Sequence, residues 1–252
     1  MSFLVRHPNL PIRTKKLILG RKYADFLQIP LEKLGISTLF VPDNPHVDAR
    51  LSGHADLSVF HAGGEKWFLA PYLVNSDFHA KMIETGVSLE FLPILQSKEY
   101  PYDACLNACA VGDDLFYSSE VTAKEIVNYF TNKKESRCIS VRQGYAKCSV
   151  CVVDAHSIIT GDSGIAAAAQ ERGYDVLCIR PGYIDLPGFD YGFIGGAAFR
   201  LSDKLVAFTG SLDAHPDKSA ILDFIASKGF EPVFLTEKNI FDIGSALPLA
   251  EY

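Results

Sequence analysis

Two kinds of side chain in this sequence could carry chemistry: a histidine close to an aspartate, and a set of thiols. His54 and Asp56 stand two residues apart in the segment GHAD. That spacing puts both side chains on one face of a strand. An imidazole can act as a general base, and a carboxylate suits a planar cation with paired N–H donors. The structural alternative is a salt bridge or cap for Asp56 and a satisfied core position for His54.

The thiols offer a nucleophile. Four of the six cysteines form two close pairs, Cys105 with Cys109 and Cys148 with Cys151. Lys147 precedes Cys148, and a neighbouring cation can lower the pKa of a thiol. We therefore single out His54, Asp56 and Cys148 as candidate catalytic residues. The alternative for each cysteine is a small apolar residue packed in the core.

The cysteine spacings are also close to those of structural zinc sites. In an extended strand Cys105 and Cys109 would lie four steps of about 3.3 Å apart, which is too far to bind one ion. Cys148 and Cys151 would point to opposite faces of their strand. The sequence therefore predicts no metal site. It also predicts no cofactor, because neither glycine pair (63–64 and 195–196) opens a helix in a phosphate-loop pattern.

These residues belong to a unit that occurs twice within residues 103–181. Each copy begins with a short apolar strand, at 105–111 and at 147–153. A polar turn, a second strand, a helix and a third strand follow in both copies. The second strands are predicted at 115–118 and 157–160, the helices at 119–132 and 163–172, and the third strands at 137–141 and 175–179. A repeated unit is the strongest single guide to a fold.

The same unit recurs more loosely along the whole chain, which we interpret as one domain of residues 1–252. A residue that readily adopts the left-handed cap ends each predicted helix. These residues are Gly35, Gly86, Asn132, Gly173 and Gly229. The first unit lacks its first strand, and an extra strand is predicted at 243–250. We expect this last strand to fill the gap and close a ring, because closure removes exposed sheet edges.

Five strand–strand–helix–strand units in a closed ring resemble the pentein fold, the pseudo-fivefold α/β propeller of guanidino-group-modifying enzymes. That superfamily includes arginine deiminase, dimethylarginine hydrolase, agmatine deiminase and amidinotransferases, together with the non-catalytic ribosome anti-association factor. The chain resembles a bacterial branch of it. The resemblance spans nearly the whole chain and rests on the repeat more than on a sharp motif. The alternative is an unrelated α/β domain with two similar βαβ units.

In such a ring the first strand of each unit lines a central channel, and alternate residues face it. The candidate ligand-binding residues on that face are Asp56, Asn107, Cys109, Lys147, Ser149, Gly195 and Ser245. We expect them to bind a small guanidino or amino-acid-like ligand, and the resemblance implies that Asp56 clamps its guanidinium group. Tyrosines in the links between units would form an aromatic rim. The alternative is a hydrogen-bonded polar plug that fills a narrow channel.

The last strand departs from the pattern of the catalytic penteins, which carry a cysteine nucleophile there. Here residues 244–249 read GSALPL, so Gly244 stands at the place of the thiol. Ser245 beside it is a weak nucleophile without a positioned base. The histidine that the family has before the fourth inner strand is also missing. Two functions stay open: a hydrolase or amidinotransferase with a rearranged catalytic set, and a non-catalytic interaction protein like the ribosome anti-association factor. A zinc-binding protein ranks below both.

Composition bounds the partners and the compartment. The chain has 252 residues, of which 48% are apolar and 21% charged, as is ordinary for a globular protein. A net charge of −6 argues against nucleic acid or an anionic membrane as the main partner. The N-terminal residues lack the apolar run of a signal peptide, so we expect a cytoplasmic protein with free thiols. Neither the ligand nor the oligomeric state follows from the sequence.

Overall fold

Five small sheets form the framework of the protein in a computed structural model that describes residues 3–252. In four of them the first strand pairs antiparallel with the second, and the second pairs parallel with the third. A helix connects the second strand to the third in each unit. This is the strand–strand–helix–strand unit that the sequence predicts. Within the described residues, no helix has both the length and the apolarity needed to cross a bilayer.

The C-terminal strand completes the sheet of the first unit. That sheet contains β1 (Phe3–Leu4), β2 (Thr14–Gly20), β3 (Ser37–Val41) and β16 (Leu247–Glu251), and its helix is α1 (Ala24–Lys33). The strand order is β1-β16-β2-β3, and Leu247 of β16 lies opposite Ile18 of β2. The prediction that the last strand fills the gap in unit one is confirmed, although the strand begins at Leu247 rather than at residue 243.

The other four units follow in chain order. Unit two contains β4 (Val59–Gly63), β5 (Lys66–Leu69), α2 (Asp77–Ile83) and β6 (Ser88–Phe91). Unit three contains β7 (Cys109–Val111), β8 (Asp114–Ser118), α3 (Lys124–Thr131) and β9 (Cys138–Val141). Unit four contains α4 (Ala146–Ser149), β10 (Val150–Asp154), β11 (Ser157–Thr160), α5 (Ser163–Gln170) and β12 (Asp175–Cys178). Unit five contains α6 (Ile194–Ala197), β13 (Ala198–Arg200), β14 (Leu205–Phe208), α7 (Lys218–Ser227) and β15 (Glu231–Phe234).

The helix ends match the capping pattern of the sequence at four of five positions. The φ angle is 78° at Gly35, 80° at Gly86, 82° at Gly173 and 80° at Gly229. These values lie in the left-handed region that glycine adopts without a steric cost. Asn132 differs, because its φ of −80° is in the right-handed helical region. The glycines therefore fix where each helix ends and where the third strand of the unit starts.

The predicted first strands are wrong in their N-terminal halves. Residues 55–57 form a short 3-10 helix (Ala55–Leu57), and residues 146–149 and 194–197 form single helical turns. An extended segment needs neighbouring strands for its backbone groups, and here turns and cross-unit bonds satisfy those groups instead. For example, the Lys147 N–H donates to the Asn107 carbonyl, and the Asp56 N–H donates to the Gly244 carbonyl. Alternation along a strand therefore does not decide which of these side chains meet.

Five apolar clusters join neighbouring units in turn. Their representative pairs are Leu39 with Trp67, Phe68 with Phe130, Phe116 with Ile158, Ile159 with Phe208, and Leu19 with Phe199. The last pair connects the first unit to the fifth. Burial of such side chains is the main favourable contribution to folding. The central turns are consequently held between units whose cores are shared.

Candidate functional site

A cavity of about 180 Å³ adjoins the central turns. It is lined by Leu51, His54, Tyr145, Cys148, Leu186, Phe189, Asp190, Tyr191, Phe193 and Asp242. Most of its wall is aromatic or aliphatic, and none of these lining residues is a lysine or an arginine. A concave apolar site with a few convergent polar groups is the usual form of a small-molecule site.

The thiol of Cys148 is fixed in position at this cavity. Its Sγ atom donates to Oδ2 of Asp56 across 3.0 Å. Nδ2 of Asn107 donates to the same sulfur at 3.4 Å, and Oδ1 of Asn107 accepts the Cys148 N–H at 3.1 Å. The short helix α4 carries Cys148, so units two, three and four all contribute to its environment. The thiol is therefore held between an amide and a carboxylate.

His54 completes a three-residue cluster with Asp56 and Cys148. One donor atom from each residue lies within 4.8 Å of the other two. His54 is 3% exposed and its Nε2 atom has no hydrogen-bond partner among the described residues. Burial lowers the pKa of His54, so the imidazole is neutral near pH 7. The structure thus brings together the three residues that the sequence singled out as catalytic.

Burial also sets the charge state of the thiol and its carboxylate. It raises the pKa of Asp56 to about 7, although the bond from Cys148 and the nearby charge of Lys147 oppose the rise. Burial, followed by the charges of Asp56 and Asp242, raises the pKa of Cys148 well above its ordinary value. The expectation that Lys147 lowers the pKa of this thiol is therefore wrong. The sulfur is protonated and donates to the carboxylate.

Lys147 instead bonds to a residue just before β16 and to a residue of α6. Its Nζ atom donates to Oγ of Ser245 at 2.7 Å and to the carbonyl of Gly195 at 3.3 Å. Both side chains are almost completely buried, and Ser245 has a φ of 64°. The Gly195 backbone approaches so closely that an added Cβ would overlap the Val150 carbonyl. These three predicted ligand-binding residues bond to one another, as in the polar-plug alternative.

The remaining predicted residues lie away from the cavity. Asp56 and Lys147 border a separate void of only about 10 Å³, so Asp56 sits behind the thiol rather than at the tyrosine-lined mouth. Cys109 and Ser149 are buried and do not line the cavity. Oγ of Ser149 has no hydrogen-bond partner in residues 3–252. Asp56 thus does not line the cavity, but it accepts a hydrogen bond from Cys148, which does.

Gly244 leaves no room for the thiol that catalytic penteins carry at this position. Its φ is 67°, and its carbonyl accepts the Asp56 N–H of the Ala55–Leu57 turn. A Cβ atom built on Gly244 would lie 2.5 Å from both Cα and Cγ of His54 and would overlap its Cβ. His54 thus occupies the space that a side chain at position 244 would need.

Asp242 is the main cavity residue that the sequence analysis missed. Its Oδ1 accepts the Gly244 N–H and its Oδ2 accepts the Phe193 N–H, each at 2.8 Å. The residue is 1% exposed and still lines the cavity. It lies in a predicted link between units, where no pattern marks it. Its place two residues before Gly244 does not by itself indicate a role in the cavity.

The expected aromatic rim is present in part. Tyr145 and Tyr191 line the cavity beside Phe193, with Tyr145 and Phe193 ring centroids 6.2 Å apart. The Tyr145 hydroxyl turns away and donates to Oδ2 of Asp103 at 2.5 Å. Tyr183 instead lies near His215, with ring centroids 5.5 Å apart. The cavity therefore offers aromatic faces rather than hydroxyl groups on this side.

Comparison with protein families gives one match. The model described as "Family of unknown function (DUF6873)" matches residues 19–247. No curated protein matches the chain.

Solved structures show the fold. The inosamine-phosphate amidinotransferase StrB1 of Streptomyces griseus superimposes with a TM-score of 0.57 at 10% identity, over 99% of this chain and 97% of that one. The amidinotransferase SxtG of Microseira wollei, from the saxitoxin pathway, gives 0.55 at 11% identity, over 95% and 96%. The C315S agmatine deiminase of C. jejuni with bound substrate gives 0.55 at 9% identity, over 98% and 96%. The similarity is to penteins, as the repeat predicts, and it covers nearly the full length of both chains.

Proposed function

The chain belongs to the DUF6873 family, and we propose that it is a hydrolase or amidinotransferase for a small guanidino compound, with Cys148 as its nucleophile. The observation that carries this proposal is the Cys148–Asp56 hydrogen bond of 3.0 Å beside His54 at an aromatic cavity. A nucleophile, a proton acceptor and a second titratable group within reach of one another are the usual requirements of covalent catalysis. The catalytic set of the penteins is thus rearranged rather than lost.

The cavity favours a cation. Asp190 and Asp242 line it, Asp56 lies behind the thiol, and no basic lining residue opposes them within residues 3–252. Tyr191 and Phe193 add aromatic faces, which attract guanidinium and ammonium groups. Solved structures with this fold include two amidinotransferases and an agmatine deiminase, which supports a guanidino substrate.

The proposed chemistry has two steps. In the first, the Cys148 sulfur attacks the guanidinium carbon, its proton passes to Asp56, and a C–N bond breaks. That proton ends on the leaving nitrogen, with the His54 imidazole in reach as a relay, and an amidino group stays on the sulfur. In the second, water or an acceptor amine attacks the same carbon, the C–S bond breaks, and the thiol re-forms. The aromatic walls exclude bulk water during the first step.

We also propose a closed pseudo-fivefold propeller made of one domain in a reducing cytoplasm. The contact between the first and fifth units and the place of β16 in the first sheet support closure. The six free cysteines support a reducing compartment.

The test is turnover of a panel of guanidino compounds, followed by mass spectrometry of the protein and by release of ureido product, ammonia or amine. We expect at least one compound to be turned over, with a covalent adduct on the peptide that contains Cys148. Cys148→Ser should bind the same compound and lose more than about 10³-fold in rate. A Cys178→Ser control, at an exposed thiol, should keep full activity. Turnover that survives in Cys148→Ser would remove this cysteine from the mechanism.

Asp56→Asn tests the proton acceptor. The amide keeps the shape of the side chain but cannot accept the thiol proton, so we expect kcat to fall by about 10²–10⁴. Because Asp56 lies behind Cys148, KM should change little. Asp190→Asn is the comparison, because this carboxylate lines the cavity away from the thiol cluster and should change KM more than kcat. An equal rise in KM in both variants would show that Asp56 acts by contacting the substrate and not by accepting the thiol proton.

A non-catalytic binding protein is the second candidate. The blocked position at Gly244 favours it, because the thiol of the catalytic penteins has no space there. Tight binding of a cationic compound without an adduct on Cys148 would support this candidate over the enzyme.

A further inference from the structure

An imidazole, a carboxylate and a thiol, which can all bind a metal ion, lie close together at the cavity. His54, Asp56 and Cys148 each offer one donor atom, and these atoms lie within 4.8 Å of one another. Exposures of 3%, 1% and 2% make all three almost completely buried. The sequence suggested zinc only through paired cysteines, and the structure places just one of those four cysteines in this cluster. The sequence analysis selected these three residues as catalytic candidates and not as metal ligands.

Two atoms of the cluster are unpartnered. Nε2 of His54 and Oδ1 of Asp56 are buried, and neither has a hydrogen-bond partner among the described residues. A buried polar atom without a partner costs about 1–3 kcal/mol, and an ion bound to these atoms would remove that cost. We propose that His54, Asp56 and Cys148 bind a divalent metal ion of the zinc type.

The donor set selects the class of metal. Thiolate and imidazole suit zinc and its transition-metal neighbours, whereas magnesium and calcium prefer oxygen ligands. Zinc–ligand bonds of about 2.0–2.3 Å place tetrahedral donors about 3.3–3.8 Å apart. The sulfur and Oδ2 of Asp56 are already 3.0 Å apart. Side-chain rotations that move the donor atoms by about 1 Å would therefore give the separations of a tetrahedral site. Three protein ligands leave a fourth position open, and two of the three, His54 and Cys148, line the cavity.

The surroundings support a positive ion. Asn107 holds the sulfur and the Cys148 backbone, as outer partners of metal ligands commonly do. Asp242 contributes a further negative charge close to His54 and Cys148. Lys147 is the opposing positive charge near Asp56. With the thiol deprotonated by the metal, two carboxylates and a thiolate outweigh this one cation.

Metal and guanidino substrate would exclude each other. The metal displaces the thiol proton and occupies the sulfur, which then cannot attack carbon. Zinc is therefore expected to block turnover reversibly, and a chelator to restore it. Metal binding itself does not depend on the proposed enzymatic function, because it needs only the three donors.

Cobalt is the most direct probe. Protein stripped with a chelator and titrated with Co²⁺ should show a sulfur-to-cobalt charge-transfer band and the visible bands of a tetrahedral site. Calorimetry with Zn²⁺ should give one ion per chain. Cys148→Ser should remove the charge-transfer band, and both Cys148→Ser and His54→Ala should weaken Zn²⁺ binding by roughly 100-fold or more. Cys151→Ala, a buried thiol that does not line the cavity, and the exposed Cys178→Ser should bind as the wild type does.

Two outcomes would overturn the metal site. One is absence of the charge-transfer band at saturating Co²⁺ in correctly folded protein. The other is a band that persists in Cys148→Ser and disappears in Cys178→Ser, which would place the metal on the surface. Bands without turnover of any guanidino compound would leave the metal site standing and remove the enzyme. Turnover without metal binding would support the enzyme and remove the metal site.

Discussion

Removal of residues 243–252 should leave a chain that no longer folds cooperatively. The deleted β16 lies hydrogen-bonded between β1 and β2, so its loss exposes the edges of both strands. Ile243, Leu247 and Leu249 are at most 4% exposed, and each such side chain contributes about 1.5–3 kcal/mol by its burial. A typical domain has only about 5–15 kcal/mol of stability in total. Soluble yield and thermal unfolding followed by circular dichroism measure the effect.

Tyr252→Ala is the matched control at the same end of the chain. The ring is half exposed, and it contacts Arg13, whose guanidinium lies 4.9 Å from the ring centroid. Loss of this surface contact should cost about 1 kcal/mol or less. A truncated chain that melts within a few degrees of the control would contradict both the role of β16 and the closed ring.

The order of the units could be predicted from the sequence because local signals fix it. Each unit's helix ends one to three residues before a glycine or asparagine, and in four of the five units the third strand begins two residues after that residue. Such signals depend on the conformation of one or two residues, as at Gly173 and Gly229, where φ is positive. The pairing of β16 with β2 could be predicted because the first unit lacked its first strand and the C-terminal strand belonged to no other unit.

The central turns could not be predicted because their backbone bonds come from other units. Residues 147–149 directly precede the apolar run of β10 and resemble the start of that strand, yet the Lys147 N–H bonds to the carbonyl of Asn107 in the preceding unit. This turn directs Cys148 towards Asp56. Alternation along strands would have placed Lys147 and Ser149 on the ligand side instead. The three catalytic candidates therefore meet because of this turn, and not because their side chains alternate along strands.

The role of Asp242 could not be predicted from the sequence either. Its role depends on the N–H groups of Phe193 and Gly244, which only the folded chain brings to one carboxylate. A sequence with one aspartate in a loop gives no indication of such a pair. Leu186 and Phe189 in the cavity wall could not be predicted either, because both lie in a link between units for which the sequence predicts no helix or strand.

Gly244→Ala should destabilise the protein more than the same substitution at any of the glycines that end a helix. With a φ of 67°, an L-residue costs about 1–2 kcal/mol at this position. The added Cβ would also meet Cα and Cγ of His54 at 2.5 Å, and overpacking of a rigid site costs typically about 1–3 kcal/mol more. The Asp56 N–H bonds to the Gly244 carbonyl, so the turn cannot move away freely. Urea unfolding gives the free-energy difference.

Gly229→Ala separates the two contributions. Its φ is 80°, close to that of Gly244, but an added Cβ there meets no atom within 4 Å among the described residues. We expect it to lose only the about 1–2 kcal/mol of the left-handed backbone. Gly244→Cys, which restores a thiol at the usual place, should lose at least as much stability as Gly244→Ala, because the same Cβ overlaps His54. If Gly244→Ala and Gly229→Ala lose equal stability, His54 does not block position 244, and steric exclusion cannot explain why Cys148 would replace a thiol there.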